Sequence, residues 1–180
     1  MTARILALDL GASGGRAMIG ESDGVFLRLR ELRRFENDPV PMRGILYWDI
    51  PRIFHEIRLS LAAAGREGGF DSVGIDAWGV DFGLLDGYGE LIGNPVHYRD
   101  QRTVGMEEAV SAVLPNKELY AATGIQHMRI NTIYQLAYLA LHRPEQLARA
   151  KRLLLIPDLL AYFLTGQERC ELTNASTTGL

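Results

Sequence analysis

A single cysteine, Cys170, stands among 180 residues. One thiol cannot build an internal disulfide framework, and no cysteine–histidine cluster has the spacing of a zinc site. A reducing compartment is expected. Long apolar runs are also missing: none approaches the roughly 18 residues of a membrane-spanning helix. An excess of basic charge is missing too, with a net charge of −3, which argues against a general nucleic-acid surface. No basic-then-apolar leader, solenoid-length repeat or low-complexity linker is visible. These absences predict a cytoplasmic protein with neither nucleic acid nor membrane as partner. What is present is apolar content, 47% of residues, which suits a globular chain with a proper core.

The stretch from Ile5 to Ile19 reads as strand, glycine-rich turn, strand. Ile5 to Leu8 is a short apolar run, and Asp9 falls where that strand should end. Gly11, Gly14 and Gly15 predict a tight turn with positive φ before Ala17–Ile19 resume an apolar run. Two readings stand. Such a turn exposes backbone N–H groups that can cradle phosphate oxygens, with Arg16 adding a fixed cation and Asp9 a carboxylate for hydrated Mg²⁺. It is equally the chemistry of a plain hairpin. No Gly-Lys-Ser/Thr follows, which excludes a Walker A loop. A strand rather than a helix follows, which excludes a dinucleotide fingerprint.

Gly20–Gly24 is a turn signal, and Val25 to Phe35 predicts a third antiparallel strand with one buried and one charged face. Its Arg28, Arg30, Arg33 and Arg34 alternate with glutamates, which favours a solvated face over an anion site. Asp49 is placed to cap a helix with Pro51 in its first turn, and Ile53, Phe54, Ile57, Leu61 and Ala64 follow helical spacing up to Gly65. Phe70–Trp78 predicts a buried strand around Val73–Ile75. Three strands, a helix and a fourth strand resemble the opening of a ribonuclease H-like, actin-like ATPase domain, and the expected fold is accordingly α/β, with a mixed sheet and a β-β-β-α-β start. That fold places a phosphate-binding turn between its first two strands.

Trp78, Gly79, Asp81 and Phe82 follow at the mouth of the fourth strand. A polyhydroxylated ligand needs an aromatic face, a glycine for close approach and acceptors for hydroxyls. Core packing of the two aromatics is the competing reading. His97, Arg99, Asp100 and Arg102 form either a pocket wall or a structural ion-pair network. Farther on, helices are expected over Gly105–Val113, from Asn116 through Tyr120, from Asn131 or Thr132 to Pro144, and over Leu159–Leu164 with Asp158 as cap. Glu145–Ala150 reads as one or two helical turns, and Leu153–Ile156 as a short buried strand or turn. Tyr134 is expected to pack and Gln135 to be structural, while Thr173–Thr178 is a polar run that is either pocket lining or loop.

In order along the chain, Asp9-Leu-Gly-Ala-Ser13 with Gly15-Arg16, Tyr47-Trp-Asp49, Gly74-Ile-Asp76, Trp78-Gly-Val-Asp-Phe82, Pro95-Val-His-Tyr-Arg-Asp100, Thr123-Gly-Ile-Gln126, Leu155-Ile-Pro-Asp158 and Thr173-Asn-Ala-Ser-Thr-Thr178 resemble the FGGY carbohydrate kinases. The resemblance implies the N-terminal domain, residues 1–180, of an ATP-dependent kinase that phosphorylates L-rhamnulose on its C1 hydroxyl. A kinase for another ketose or polyol, such as xylulose or glycerol, and a non-catalytic sugar-binding module are the alternatives. By resemblance, Asp9, Gly11, Ala12, Ser13, Gly14, Gly15 and Arg16 bind ATP phosphates, with Asp9 near Mg²⁺. Gly79 contacts the sugar, and Trp78 and Asp81 shape its pocket. The pattern often has two serines before Gly-Arg, and Gly14 replaces the second. The family's general base, an Asp after a His, is expected beyond residue 180, as are a final strand and helix and a second ATPase-like domain. The isolated chain is therefore expected to be inactive and to self-associate through an exposed apolar sheet edge or face.

Overall fold

The structure, a computed structural model, describes residues 3–180. In chain order they form strands β1 (Ala3–Leu10), β2 (Gly14–Ser22), β3 (Leu27–Glu36), β4 (Val40–Met42) and β5 (Ile45–Tyr47), then helix α1 (Ile50–Arg66). Next come β6 (Ser72–Asp76), β7 (Phe82–Leu85), a 3-10 turn (Gln101–Thr103), α2 (Met106–Ser111), α3 (Asn116–Thr123), α4 (Thr132–His142) and α5 (Pro144–Arg149). Strand β8 (Arg152–Leu155), α6 (Ile156–Thr165) and α7 (Leu172–Ala175) complete the order. These elements divide into two compact units, residues 3–38 with Asp49–Trp78, and Pro39–Trp48 with Gly79–Leu180.

The first unit is the expected β-β-β-α-β arrangement. Its sheet runs β3-β2-β1-β6, antiparallel except for the parallel β1–β6 pair. The period-2 pattern of β1 and β2 turns Leu6, Leu8, Leu10, Ala17 and Ile19 to one buried face. Helix α1 covers it with Ile50, Ile53, Ile57 and Ala64, the i, i+3, i+4 stripe of its sequence. The helix starts as predicted: Asp49 Oδ1 accepts from Arg52 N at 3.0 Å, and Pro51 occupies the first turn. Inside the helix Glu56 is buried, and its carboxylate is held by Arg33 and Arg52, each at 2.6 Å.

Two expectations fail at the sheet edges. Strand β3 has no buried face: Leu27 and Leu29 are about 60% exposed. Strand β6 is not buried either, with Val73 at 40%. The reason is coverage. Helix α1 packs mainly on β1, β2 and β3, and the opposite edge at β6 is left largely exposed. By register Leu29 sits opposite Gly20, and Gly20 opposite Ile5, on the sheet face turned away from the helix.

The second unit holds the β4–β5 hairpin, the antiparallel β7–β8 pair and α2–α7. Phe82, Leu84, Leu139 and Leu155 are its core, with Ile92, Leu136, Tyr138, Ala150 and Leu153 packed around them. Phe82 is thus core, as one of its two readings held. Helix α6 begins earlier than predicted: Leu155 is its N-cap, Pro157 lies in the first turn, and Asp158 sits inside the helix, accepting from Glu171 N. Burial pushes the Asp158 carboxyl upward. Helix α3 has Pro115 at its N-cap position and runs on past Tyr120 to Thr123. No described helix is long and apolar enough to cross a membrane.

Candidate active site

In the first unit, Leu10 and Gly15 pair across the β1–β2 hairpin and the chain turns between them, closed by Gly11 N–H on the Gly14 carbonyl at 2.8 Å. None of Gly11, Gly14 and Gly15 adopts the left-handed conformation expected of them. Space is the reason for glycine here: a Cβ on Gly15 would collide with the Phe35 ring. The Asn37 amide donates to the Gly11 carbonyl at 2.8 Å, and its backbone N–H reaches the Ser13 carbonyl at 3.4 Å. Asn37 is buried, yet in the sequence it lies in an unremarkable loop, so nothing there pointed to its part in shaping the turn.

Asp9 and Arg16 are cross-strand partners and form an ion pair, each about half exposed. The cation is thus held beside the turn by the carboxylate that flanks it. Ser13, Gly14, Gly15 and Arg16 line an open cleft of about 550 Å³ with Arg34, Phe35 and Glu36. Arg34 is engaged by Glu31 at 2.6 Å. Asp76 stands opposite Asp9 at the ends of the parallel β1–β6 pair. Two carboxylates at one strand mouth are hard oxygen donors of the kind a mostly hydrated Mg²⁺ takes, and the donor set fits that ion. Among the described residues no group of three or more His, Cys, Asp or Glu could hold a metal by itself.

Trp78, half-buried, ends the first unit. Gly79 and Asp81 belong to the second. There Asp81 N–H closes on the Gly79 carbonyl at 2.9 Å, across Val80 with φ of 68°. The Asp81 side chain is wholly buried and accepts three hydrogen bonds: from Trp48 Nε1 at 2.6 Å, Gln135 Nε2 at 2.8 Å and Tyr98 N at 3.1 Å. Gln135 accepts in turn from Arg102 Nη2 at 2.7 Å. Burial holds the Arg102 guanidinium below its ordinary range, and the charges of Asp81 and Asp100 oppose that shift.

A Cβ on Gly79 would lie 3.5 Å from Asn174 Oδ1 and 3.6 Å from Thr177 Oγ1, which is ordinary contact, and Gly79 has no left-handed φ. Neither space nor conformation demands glycine at this position. Two polar side chains of the Thr173–Thr178 run border it.

The cluster of His97, Arg99, Asp100 and Arg102 is a structural network. Asp100 accepts from Leu46 N and from Arg102 N, capping the 3-10 turn. His97 stacks on Trp48 with ring centroids 4.0 Å apart. Its Nδ1 accepts from Arg99 N at 2.9 Å, which places the ring proton on Nε2, a buried atom with no hydrogen-bond partner among the described residues. Burial, reinforced by the Arg99 charge and opposed by Asp100, lowers the His97 pKa to about 4. Arg99 is the exposed member, its guanidinium 5.3 Å from the Tyr98 ring centre. Tyr134 and Gln135 are both buried, as expected.

The first unit thus carries a glycine turn between the first two strands of a mixed sheet, and the second carries Gly79 two residues before the buried Asp81. The chain belongs to the FGGY family of carbohydrate kinases: the family's N-terminal domain matches residues 4–180. Among curated relatives it is 47% identical, over 98% of its length, to "Rhamnulokinase" of Yersinia pestis bv. Antiqua (strain Angola), and equally to "Rhamnulokinase" of Yersinia pseudotuberculosis serotype I (strain IP32953). It spans 37% of those relatives' own length. Among solved structures, xylulose kinase from Rhodospirillum rubrum superposes with a TM-score of 0.83 at 18% identity, covering 98% of this chain and 37% of that one. Plasmodium falciparum glycerol kinase with ADP gives 0.76 at 16% identity, with 99% and 38% covered. At these identities the structural neighbours establish the fold.

Proposed function

We propose that this chain is the N-terminal part of an ATP-dependent kinase that phosphorylates L-rhamnulose at the C1 hydroxyl. The observation that carries the reading is the 47% identity to rhamnulokinases over 98% of the chain. The glycine turn and the Gly79 surface lie within that match.

In this reading the Gly11–Arg16 turn holds ATP phosphates through its backbone N–H groups. Arg16 supplies a positive charge there, re-paired from Asp9 to phosphate, and Asp9 stands where Mg²⁺ would be held. Mg²⁺ supplies charge neutralisation on the transferring phosphoryl group when bound. The sugar rests on Gly79, with Trp78 and Asp81 shaping the pocket. Asp81, being buried, acts by fixing the backbone it is bonded to rather than by meeting a hydroxyl. Phosphoryl transfer also needs a residue that orients the attacking hydroxyl. The family's His-Asp pair has no counterpart within these 180 residues, so the isolated chain is expected not to turn over. A cytoplasmic setting and self-association through an exposed apolar sheet edge or face complete the proposal.

The test is coupled ADP release by the parent reading frame with L-rhamnulose against other ketoses and glycerol. Preferred turnover of L-rhamnulose, lost in Asp9→Ala, is the expected result. Preference for another sugar would discard the substrate, and no turnover with any of them would favour a sugar-binding module without catalysis.

A further inference from the structure

Among the described residues, two that are not glycine have positive φ: Arg43, in the β4–β5 hairpin turn, and Val80. A β-branched residue in that region is strained. At Val80 the strain has a definite shape. The i→i+2 bond from Asp81 N–H to the Gly79 carbonyl, across a central φ of 68°, makes Gly79–Val80–Asp81 a γ-turn of the rare, positive-φ kind. Such conformations persist where the surroundings over-determine them, and they gather at ligand clamps.

The surroundings here come largely from α4. Its first residue, Thr132, donates from Oγ1 to the Val80 carbonyl at 2.8 Å. One turn later Gln135 Nε2 lies 2.8 Å from Asp81 Oδ1, 3.0 Å from the Ile130 carbonyl and 3.3 Å from the Val80 carbonyl, three acceptors for two protons with Val80 the longest. Both side chains are buried. A hydroxyl and an amide from one helix face thus hold the carbonyl of the strained residue and the side chain of the residue after it. On the other side of Val80 lies Gly79, whose bare surface faces Asn174 and Thr177.

We infer that Thr132 and Gln135 are positioning residues that hold Gly79–Val80–Asp81 in its γ-turn and thereby set the affinity for the sugar lying on Gly79. This rests on the reading of Gly79 as a sugar contact. Neither residue touches the sugar. Their effect reaches it through the orientation of the Gly79 backbone, so it falls on sugar binding and spares the nucleotide.

The parent chain carrying Thr132→Val, which removes the hydroxyl and keeps the volume, is the first test. Its KM for sugar is expected to rise about tenfold, the effect of one hydrogen bond on a strained carbonyl, with the KM for ATP unchanged. Thr132→Ser returns the hydroxyl and is expected to bring the sugar KM back to near the parent value. Gln135→Met shifts the sugar KM in the same direction, and the double variant costs less than the two effects added, because both residues act on one turn, Thr132 at the Val80 carbonyl and Gln135 at the Asp81 side chain. An unchanged sugar KM in Thr132→Val, an equal rise in both KM values, or no recovery in Thr132→Ser would overturn the inference. Amide exchange at Asp81 separates it from the functional reading. Faster exchange in Thr132→Val than in Thr132→Ser supports the clamp even where no sugar is turned over, and equal exchange refutes it.

Discussion

His97 should make this protein acid-sensitive in a measurable way. The imidazole is buried against Trp48, and burial together with Arg99 lowers its pKa to about 4 against an ordinary 6.5. The unfolded chain therefore binds the proton first as pH falls. Wherever the unfolded state holds more protons, stability rises with pH. The contribution of His97 is fully present above pH 6.5, declines as pH falls from 6.5 toward 4, and is exhausted below that. Linkage puts the loss at about 2–3 kcal/mol by pH 4.5. His97→Asn tests it: Asn Oδ1 can accept from Arg99 N in place of Nδ1 but does not titrate. Urea unfolding followed by tryptophan fluorescence at pH 7, 5.5 and 4.5 is the assay. The variant starts lower at pH 7, having lost the ring stack, and its stability should fall less with acid by about 2–3 kcal/mol. Carboxylates such as Glu31 and Glu171, whose pKa values are lowered by Arg34 and by Thr173 with Asn174, add their own acid loss to both proteins and cancel in the difference. Parallel pH slopes for the two proteins, or a His97 titration by NMR centred near 6.5, would refute the reasoning.

Two further effects follow from packing and capping. Gly15→Val drives a branched side chain into the Phe35 ring and is expected to cost about 1–3 kcal/mol in urea unfolding, with Phe35→Ala in the same chain relieving part of the clash. Asp49→Ala removes the cap bond to Arg52 N and should lower stability by about 1 kcal/mol, whereas Asp49→Ser should lose much less.

Local chemistry carried a good part of this protein by itself. The run Ile5–Leu8, the glycines after Asp9 and the helical stripe from Ile53 to Ala64 each specify their element through neighbours a few residues away. The β-β-β-α-β start was accordingly readable, as was the Asp49 cap. So was the glycine turn as a place, because glycine in a hairpin advertises itself whatever the reason for it. The reason was not readable: Phe35, 20 residues on, excludes a side chain at Gly15, and the expected positive φ is absent.

Tertiary structure alone decided which faces are buried and which charges meet. An apolar strand such as β6 reads the same whether a helix covers it or not, and its exposure depends on where α1 comes to rest. Asp9 and Arg16 are partners because β1 and β2 pair in one register. The buried carboxylate of Asp81 gathers Trp48, Tyr98 and Gln135 from segments 17 to 54 residues away, and the strained γ-turn beside it exists because Thr132 and Gln135 hold it there. Hydrogen bonds of that reach leave no trace in local residue pattern, since their geometry is set by the packing of distant elements.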